Sequence, residues 1–296
     1  MGWLLAVFWV LSATAAPAVT EEAPSVALTF DDGTEVPRVN AAILKALADA
    51  KLRSVLFVAG INVDSPQGLA QVRSWGTAGH LVGNHSYSHK SLSGAEISRA
   101  DFEADVLRNE VLLRDFPGFT RIFRFPFLHE GETAAKRDGF RAFLRERRYR
   151  LGSVTIDASD WYYDFRFHQW KKRYPGADPA PFRDVYLKHL WERTQYYDRL
   201  AKKVLGRKVR HTLVLHTNRL NAAFLPDVIR MFRDRKWQLI DAATAFEDPV
   251  YRQQPNFLPA GHSLIWGLAK ARGEKQLRLP VEDESYEKPI LDAAGL

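Results

Sequence analysis

The chain has 296 residues, 46% of them hydrophobic and 26% charged, which allows one sizeable core and argues against wholesale disorder. Cysteine is absent, excluding disulfides, thiolate metal sites, a Cys nucleophile and a lipid-modified Cys, so any metal must be held by nitrogen and oxygen. A formal charge of +7 suits an anionic partner such as a cell-wall polymer, a nucleic acid or a lipid headgroup, but no basic run accompanies a nucleic-acid-binding motif, and no nucleic-acid partner is expected.

Residues 1–16 read as a signal peptide. Trp3 to Leu11 is a short apolar core, followed by the small residues Ala13-Thr14-Ala15, although no Lys or Arg precedes it. A membrane span needs roughly 20 apolar residues. The expectation is an exported protein, periplasmic or secreted, cleaved near Ala16 and without stable membrane insertion afterwards.

Ser25 to Phe30 has the β-branched and aromatic content of a buried strand, ended by Asp31-Asp32-Gly33. Val39 to Ala50 has helical spacing, and Ser54 to Val58 is a second strand, giving a βαβ unit and hence a parallel sheet. A helix over Leu69 to Gly79 leads to a very short strand, Leu81 to Asn84, directly before His85. A polar helix follows from Gly94 to Arg114, then a strand from Arg121 to Phe127 broken by Pro126. Lys136 to Tyr149 reads as a basic helix with a solvated face. Leu151 to Asp157 is the next strand, closed by acids, and 162–181 reads as a loop. A helix over Phe182 to Leu205, a strand from His211 to His216, a helix over Asp227 to Phe232 and a short strand from Trp237 to Asp241 complete the pattern. Beyond Pro249 the periodicity fades into what reads as a surface-packed tail.

Strands ending in Asp, His, Arg, Asp and His between helices point to an α/β fold. They suggest a (β/α) barrel with its site at the C-terminal ends of the strands. Within that frame His85 and His89 stand out: four residues apart, they meet on one helix face or converge in a tight loop. With a carboxylate from Asp31-Asp32 they make a three-ligand site with an open position, the outline of a metal-dependent hydrolase.

The strand ends together resemble the polysaccharide deacetylase family with the NodB-homology domain (carbohydrate esterase family 4). Five motifs carry the resemblance, in the family's order, over about residues 25–245. They are Thr29-Phe30-Asp31-Asp32-Gly33, His85-Ser86-Tyr87-Ser88-His89, Arg124-Phe125-Pro126-Phe127, Asp157-Ala158-Ser159-Asp160-Trp161 and Val214-Leu215-His216. The resemblance implies a distorted (β/α) barrel domain over 25–248 and a C-terminal extension, 249–296, of unknown role. By similarity, Asp32, His85 and His89 would hold a divalent metal, Zn2+ first and Co2+ or Ni2+ as alternatives. Asp31 would be the general base, positioned by Arg124, and His216 the general acid, oriented by Asp160. The Phe127 backbone N–H would complete an oxyanion hole, and Trp161 and Val214 would line an acetyl pocket. Val214 and Phe127 are mild departures, standing where the family usually has Leu and often Tyr.

The implied activity is hydrolysis of N-acetyl groups from amino sugars in a glycan such as peptidoglycan, chitin oligomers or an exopolysaccharide. The alternatives are an O-acetyl esterase of xylan or another polysaccharide, and a catalytically inactive glycan-binding module. The aromatics at 161–163 and Trp170 could offer flat faces to sugar rings. No role is assigned to His80, His129, His168, His189, His211 or His262, and the sequence gives no oligomeric state.

Overall fold

The computed structural model describes residues 23–278 and 285–296. The expected signal peptide lies outside them. In chain order the elements are β1 (Ser25–Asp32), α1 (Pro37–Ala50), β2 (Val55–Val58), α2 (Pro66–Thr77), β3 (Leu81–Asn84), α3 (Arg99–Leu113), β4 (Phe119–Phe123), β5 (His129–Gly131) and α4 (Ala134–Glu146). There follow β6 (Arg150–Leu151), α5 (Asp160–Arg173), α6 (Ala180–Leu205), β7 (Arg210–His216), α7 (Arg219–Asp234), β8 (Gln238–Leu239), α8 (Ala242–Ala245), β9 (Ala260–Gly261), α9 (Leu264–Ala271) and α10 (Glu287–Ala293).

Strand order β6-β4-β3-β2-β1-β7, with β8 also on β1, makes one parallel sheet curled into a distorted (β/α) barrel. Burial explains its strands: all residues of β2, and all of β1 except Asp32, are buried, as expected for a parallel sheet covered by helices. Gly83 lets β3 lie tight between its neighbours, since a Cβ there would stand 2.8 Å from the Phe57 ring and 2.9 Å from Ile122. Local signals set several helix starts. Pro37 and Pro66 occupy first turns, and the Ser98 hydroxyl accepts from the Asp101 N–H at 3.1 Å. That cap is why α3 begins at Arg99 rather than at Gly94.

Four other expectations need correction. The stretch 162–181 is mostly helical: α5 buries Tyr163 and Phe167, which lie four residues apart on one face, and its aromatic content had read as a loop. Little of the strand expected over Leu151 to Asp157 forms. Arg150–Leu151 pairs with β4, and a single bridge joins Ile156 to Leu213. Between them side chains take the backbone groups: Arg124 Nε donates to the Gly152 carbonyl at 2.8 Å, and Ser263 Oγ to that of Thr155 at 2.8 Å. α7 is longer than Asp227 to Phe232, because Asn218 caps it by accepting from the Asn221 N–H at 2.9 Å. The segment after Pro249 is not surface-packed: α9 places Leu264, Ile265 and Trp266 in the main core, and the Leu264 N–H donates to the Val154 carbonyl at 2.7 Å. It fills the gap between β6 and β7. Among the described residues no helix is long and apolar enough to cross a membrane.

A second apolar cluster supports the loop that leaves β4. Phe140 is fully buried there, with its ring centroid 4.9 Å from Phe102, 5.4 Å from Phe123 and 5.2 Å from Phe125. Phe140→Ala should therefore lower the unfolding free energy by about 3–5 kcal/mol, measured by urea titration. A loss under about 1 kcal/mol would mean that the cluster collapses onto the cavity and does not brace the loop.

Candidate active site

The parallel register brings the chemistry to one end of the sheet. β1 runs out at Asp31-Asp32 and β3 at Asn84, immediately before His85. Residues 85–89 form a loop rather than a helical turn, with Ser86 at φ 62° and His89 at φ 52°. Asp105 of α3 fixes that loop by accepting from the Tyr87 and Ser88 N–H groups at 3.0 and 2.9 Å. His85 Nδ1 lies 2.8 Å from the Arg124 carbonyl. A carbonyl only accepts, so Nδ1 carries the proton and Nε2 presents its lone pair.

The two imidazoles meet Asp32. Nε2 of His89 is 3.2 Å and Nε2 of His85 is 3.9 Å from Asp32 Oδ1, and this buried oxygen has no hydrogen-bond donor. One donor atom from each of the three residues lies within 4.8 Å of the others. A buried acceptor left without a donor beside two imidazole nitrogens is a donor set that fits a borderline divalent cation. The electrostatics agree. Burial alone would raise the Asp32 pKa, but contact with His89 and the charges of His216 and His85 hold it well below the usual carboxylate range. Burial, with His89 adding to it, pushes His85 down to about 4 against the pull of Asp31. The carboxylate is thus charged and the imidazole neutral, the forms that a cation requires.

Beside this set, Asp31 is 2% exposed and pairs through Oδ1 with Nη1 of Arg124, itself 1% exposed. The β1–β7 register sets Asp31 directly across from His216. Asp160, fully buried, accepts from His216 Nδ1 at 2.6 Å, from the His216 N–H at 2.8 Å and from Asn221 Nδ2 at 2.6 Å. Burial opposes charge on His216, but the Asp160 carboxylate outweighs it, with Asp32 and Asp31 adding, and the pKa rises to about 10. Because this value exceeds the ordinary one of 6.5, the contribution to folding is complete below pH 6.5 and is lost as pH rises through about 10.

These groups line a cleft of about 440 Å³ whose wall includes Phe127, Leu128, His129, Asp157, Trp161 and Val214. All the expected side chains therefore converge except those of Arg124 and Asp160, which stand behind the lining as partners of Asp31 and His216. Trp161 (42% exposed) and Phe127 (53%) present open ring faces. The companion sugar-facing aromatics need correction: Tyr162 and Tyr163 are core residues, and Trp170 packs on Phe167 and Phe182. His80 is structural, accepting at Nδ1 from the Ser54 N–H at 3.0 Å against Trp75. His129 and Asp157 on the wall, and Asp105 and Asn221 behind it, were given no role from sequence, although Asp157 opens the fourth motif. The Asn218-x-x-Asn221 pair just past His216 was the available signal for the last of these.

Comparison with known proteins finds a family to which part of the chain is similar. The sequence profile described as polysaccharide deacetylase matches residues 18–143. Over those residues the chain is similar to the polysaccharide deacetylase family. It is 26% identical over 137 residues to a peptidoglycan-N-acetylglucosamine deacetylase of Bacillus cereus, covering 46% of this chain and 46% of that protein. It is 38% identical over 93 residues to a chitooligosaccharide deacetylase of Sinorhizobium fredii, covering 31% and 40%. The matches thus span less than half the length of these curated relatives. In fold, the chain is similar to a carbohydrate esterase family 4 esterase of Streptococcus mutans (TM-score 0.55, 20% identity, covering 75% of this chain and 87% of that one). The profile match contains Asp31, Asp32, His85, His89, Arg124 and Phe127 but not Asp160, Trp161, Val214 or His216. The fold brings the second group to the first.

The loop geometry leads to a binding test. Asp105→Ala removes the acceptor for two amides between the histidines, and zinc affinity should fall about 10- to 100-fold by calorimetry. Unchanged affinity would show that the loop keeps its shape without Asp105.

Proposed function

We propose that this protein hydrolyses N-acetyl groups from amino sugars of a glycan with the help of a divalent metal, releasing acetate. The observation that carries this reading is that Asp31, paired with Arg124, and His216, paired with Asp160, stand at one cleft with the Asp32–His85–His89 donor set. Asp32, His85 and His89 would hold the metal, zinc first and cobalt or nickel as alternatives. Once bound, it supplies Lewis acidity and brings the ionisation of water towards neutral pH.

The chain's own residues do the rest. Arg124 holds Asp31 in place to take a proton from the attacking water. His216 stands across the cleft, charged at neutral pH through Asp160, and delivers a proton to the leaving nitrogen. An amide nitrogen departs poorly unless protonated, so a charged acid at this position favours the amide over the ester reading. The Phe127 N–H stabilises the developing oxyanion, Val214 and Trp161 enclose the acetyl methyl, and the open face of Trp161 carries a sugar ring. The two relatives above, named for peptidoglycan and chitooligosaccharides, support an N-acetylglucosamine polymer as substrate, and export through the apolar segment at 3–11 would bring the enzyme to an envelope glycan.

The test is acetate release from N-acetylglucosamine oligomers, peptidoglycan and acetylated xylan, using metal-stripped protein with and without zinc. Zinc-dependent release from the amino-sugar substrates is expected. Release from xylan alone would replace this reading with an esterase, and glycan binding without release would replace it with an inactive module. His216→Ala should lower kcat by at least about 100-fold, the scale of general acid catalysis.

The pH profile gives a second check. Activity should fall on the alkaline side as His216 loses its proton, and a bound cation, by offsetting Asp32, would bring that limb below 10. Asp160→Asn removes the main charge that raises His216, so the limb should move down by at least about one pH unit, a differential interaction of about 1.4 kcal/mol. An unmoved limb would assign it to another group.

A further inference from the structure

The loop that carries Phe127 depends on a segment far from it in sequence and beyond the family match. Phe127 and Leu128 both have left-handed backbone, each at φ 57°, a conformation that bulky residues hold only when their surroundings impose it. The Phe127 ring lies 4.8 Å from that of His89. Directly after them β5 pairs antiparallel with β9, His129 opposite Gly261 and Gly131 opposite Ala260. The His262 N–H donates to the Leu128 carbonyl at 2.8 Å. Gly261 has φ +139°, and a Cβ on it would stand 2.2 Å from that same carbonyl oxygen. Two arginines of α4 tie the segment down further: Arg137 donates to the Phe257 carbonyl at 3.1 Å, and Arg141 binds both Glu130, at 2.6 Å, and the Pro255 carbonyl, at 3.3 Å.

We propose that residues 255–264 are part of the active site, with Gly261 a positioning residue that sets the Phe127–Leu128 backbone. The strand approaches the Leu128 carbonyl so closely that only glycine fits, and this contact holds the loop in its left-handed form. The Phe127 amide and ring thereby keep their places beside the metal-binding loop. The link to catalysis rests on the deacetylase reading above. The link to loop order does not.

The test uses the full chain carrying Gly261→Ala, with Gly176→Ala as a control because nothing lies within 4 Å of a Cβ there. In Gly261→Ala, amide hydrogen exchange over 125–131 should quicken about tenfold. The kcat on N-acetylglucosamine oligomers should drop about 10- to 100-fold with KM within about threefold. The visible spectrum of the cobalt-substituted protein should stay unchanged, since the ligand residues do not move. If Gly261→Ala does not fold, Arg141→Gln removes the Glu130–Pro255 tie without adding bulk and should shift exchange and kcat in the same direction. Unchanged exchange over 125–131 in a folded variant overturns the proposal, as does faster exchange with kcat within about twofold of the parent. Absence of activity in the parent protein would defeat the deacetylase reading alone, and exchange would still decide whether the segment holds the loop.

Discussion

A buried guanidinium at the end of β4 joins most of the parts. Arg124 is 1% exposed, and its Nη1, its Nε and its carbonyl each have a different partner. Its Nη1 pairs with Asp31, its Nε donates to the Gly152 carbonyl, and its own carbonyl accepts from His85 Nδ1. Its plane lies over the Phe57 ring with the guanidinium carbon 4.0 Å from the centroid. Burying such a charge is costly, and removing one partner of a buried pair costs about 3–5 kcal/mol because the other charge is left uncompensated. Arg124 and Asp31 therefore constrain each other. Because Arg124 also sets the tautomer of His85, the Asp31 carboxylate and one imidazole of the Asp32–His85–His89 donor set share a single anchor.

Around this anchor the cleft is built on unfavourable backbone. Asp32, Ser86, His89, Phe127, Leu128 and Ser159 all have positive φ without being glycine. Each left-handed residue costs of order 1–3 kcal/mol and persists only where surrounding contacts over-determine it. Those contacts are visible: Asp105 beneath the histidine loop, β9 against Leu128, and Asp160 held by Asn221 just past Ser159. The core below, packed with aromatic side chains, bears the strain that the site concentrates.

Barrel closure connects these features. The sheet stays open between β6 and β7, where one bridge and a set of side-chain bonds replace a ladder. The segment from Pro249 to Ala271 fills that opening with Tyr251, Leu264 and Ile265, and in doing so reaches the loop after β4. One stretch of chain thus completes the core and braces the cleft wall.

Much of this was legible in the residues themselves. β1 is a nearly uninterrupted apolar run, so its two acids mark a strand end whatever packs around them. The His85–His89 spacing, and the recurrence of Asp, His and Arg at strand ends, likewise depend on local pattern alone. What tertiary structure decided are the features that arise from contacts distant in sequence. α5 was obscured because its buried face is made of Tyr and Phe rather than aliphatic residues, and the expected strand over 151–157 gave way because side chains of Arg124, Thr212 and Ser263 claim its backbone groups. His129 and Gly261 acquire meaning only when β5 meets β9, across a sequence separation that no local period spans. By itself the sequence determined which candidate side chains stand at or just past the strand ends. The tertiary structure alone decided what orients them, because hydrogen-bond partners and buried charge pairs are chosen by proximity in space.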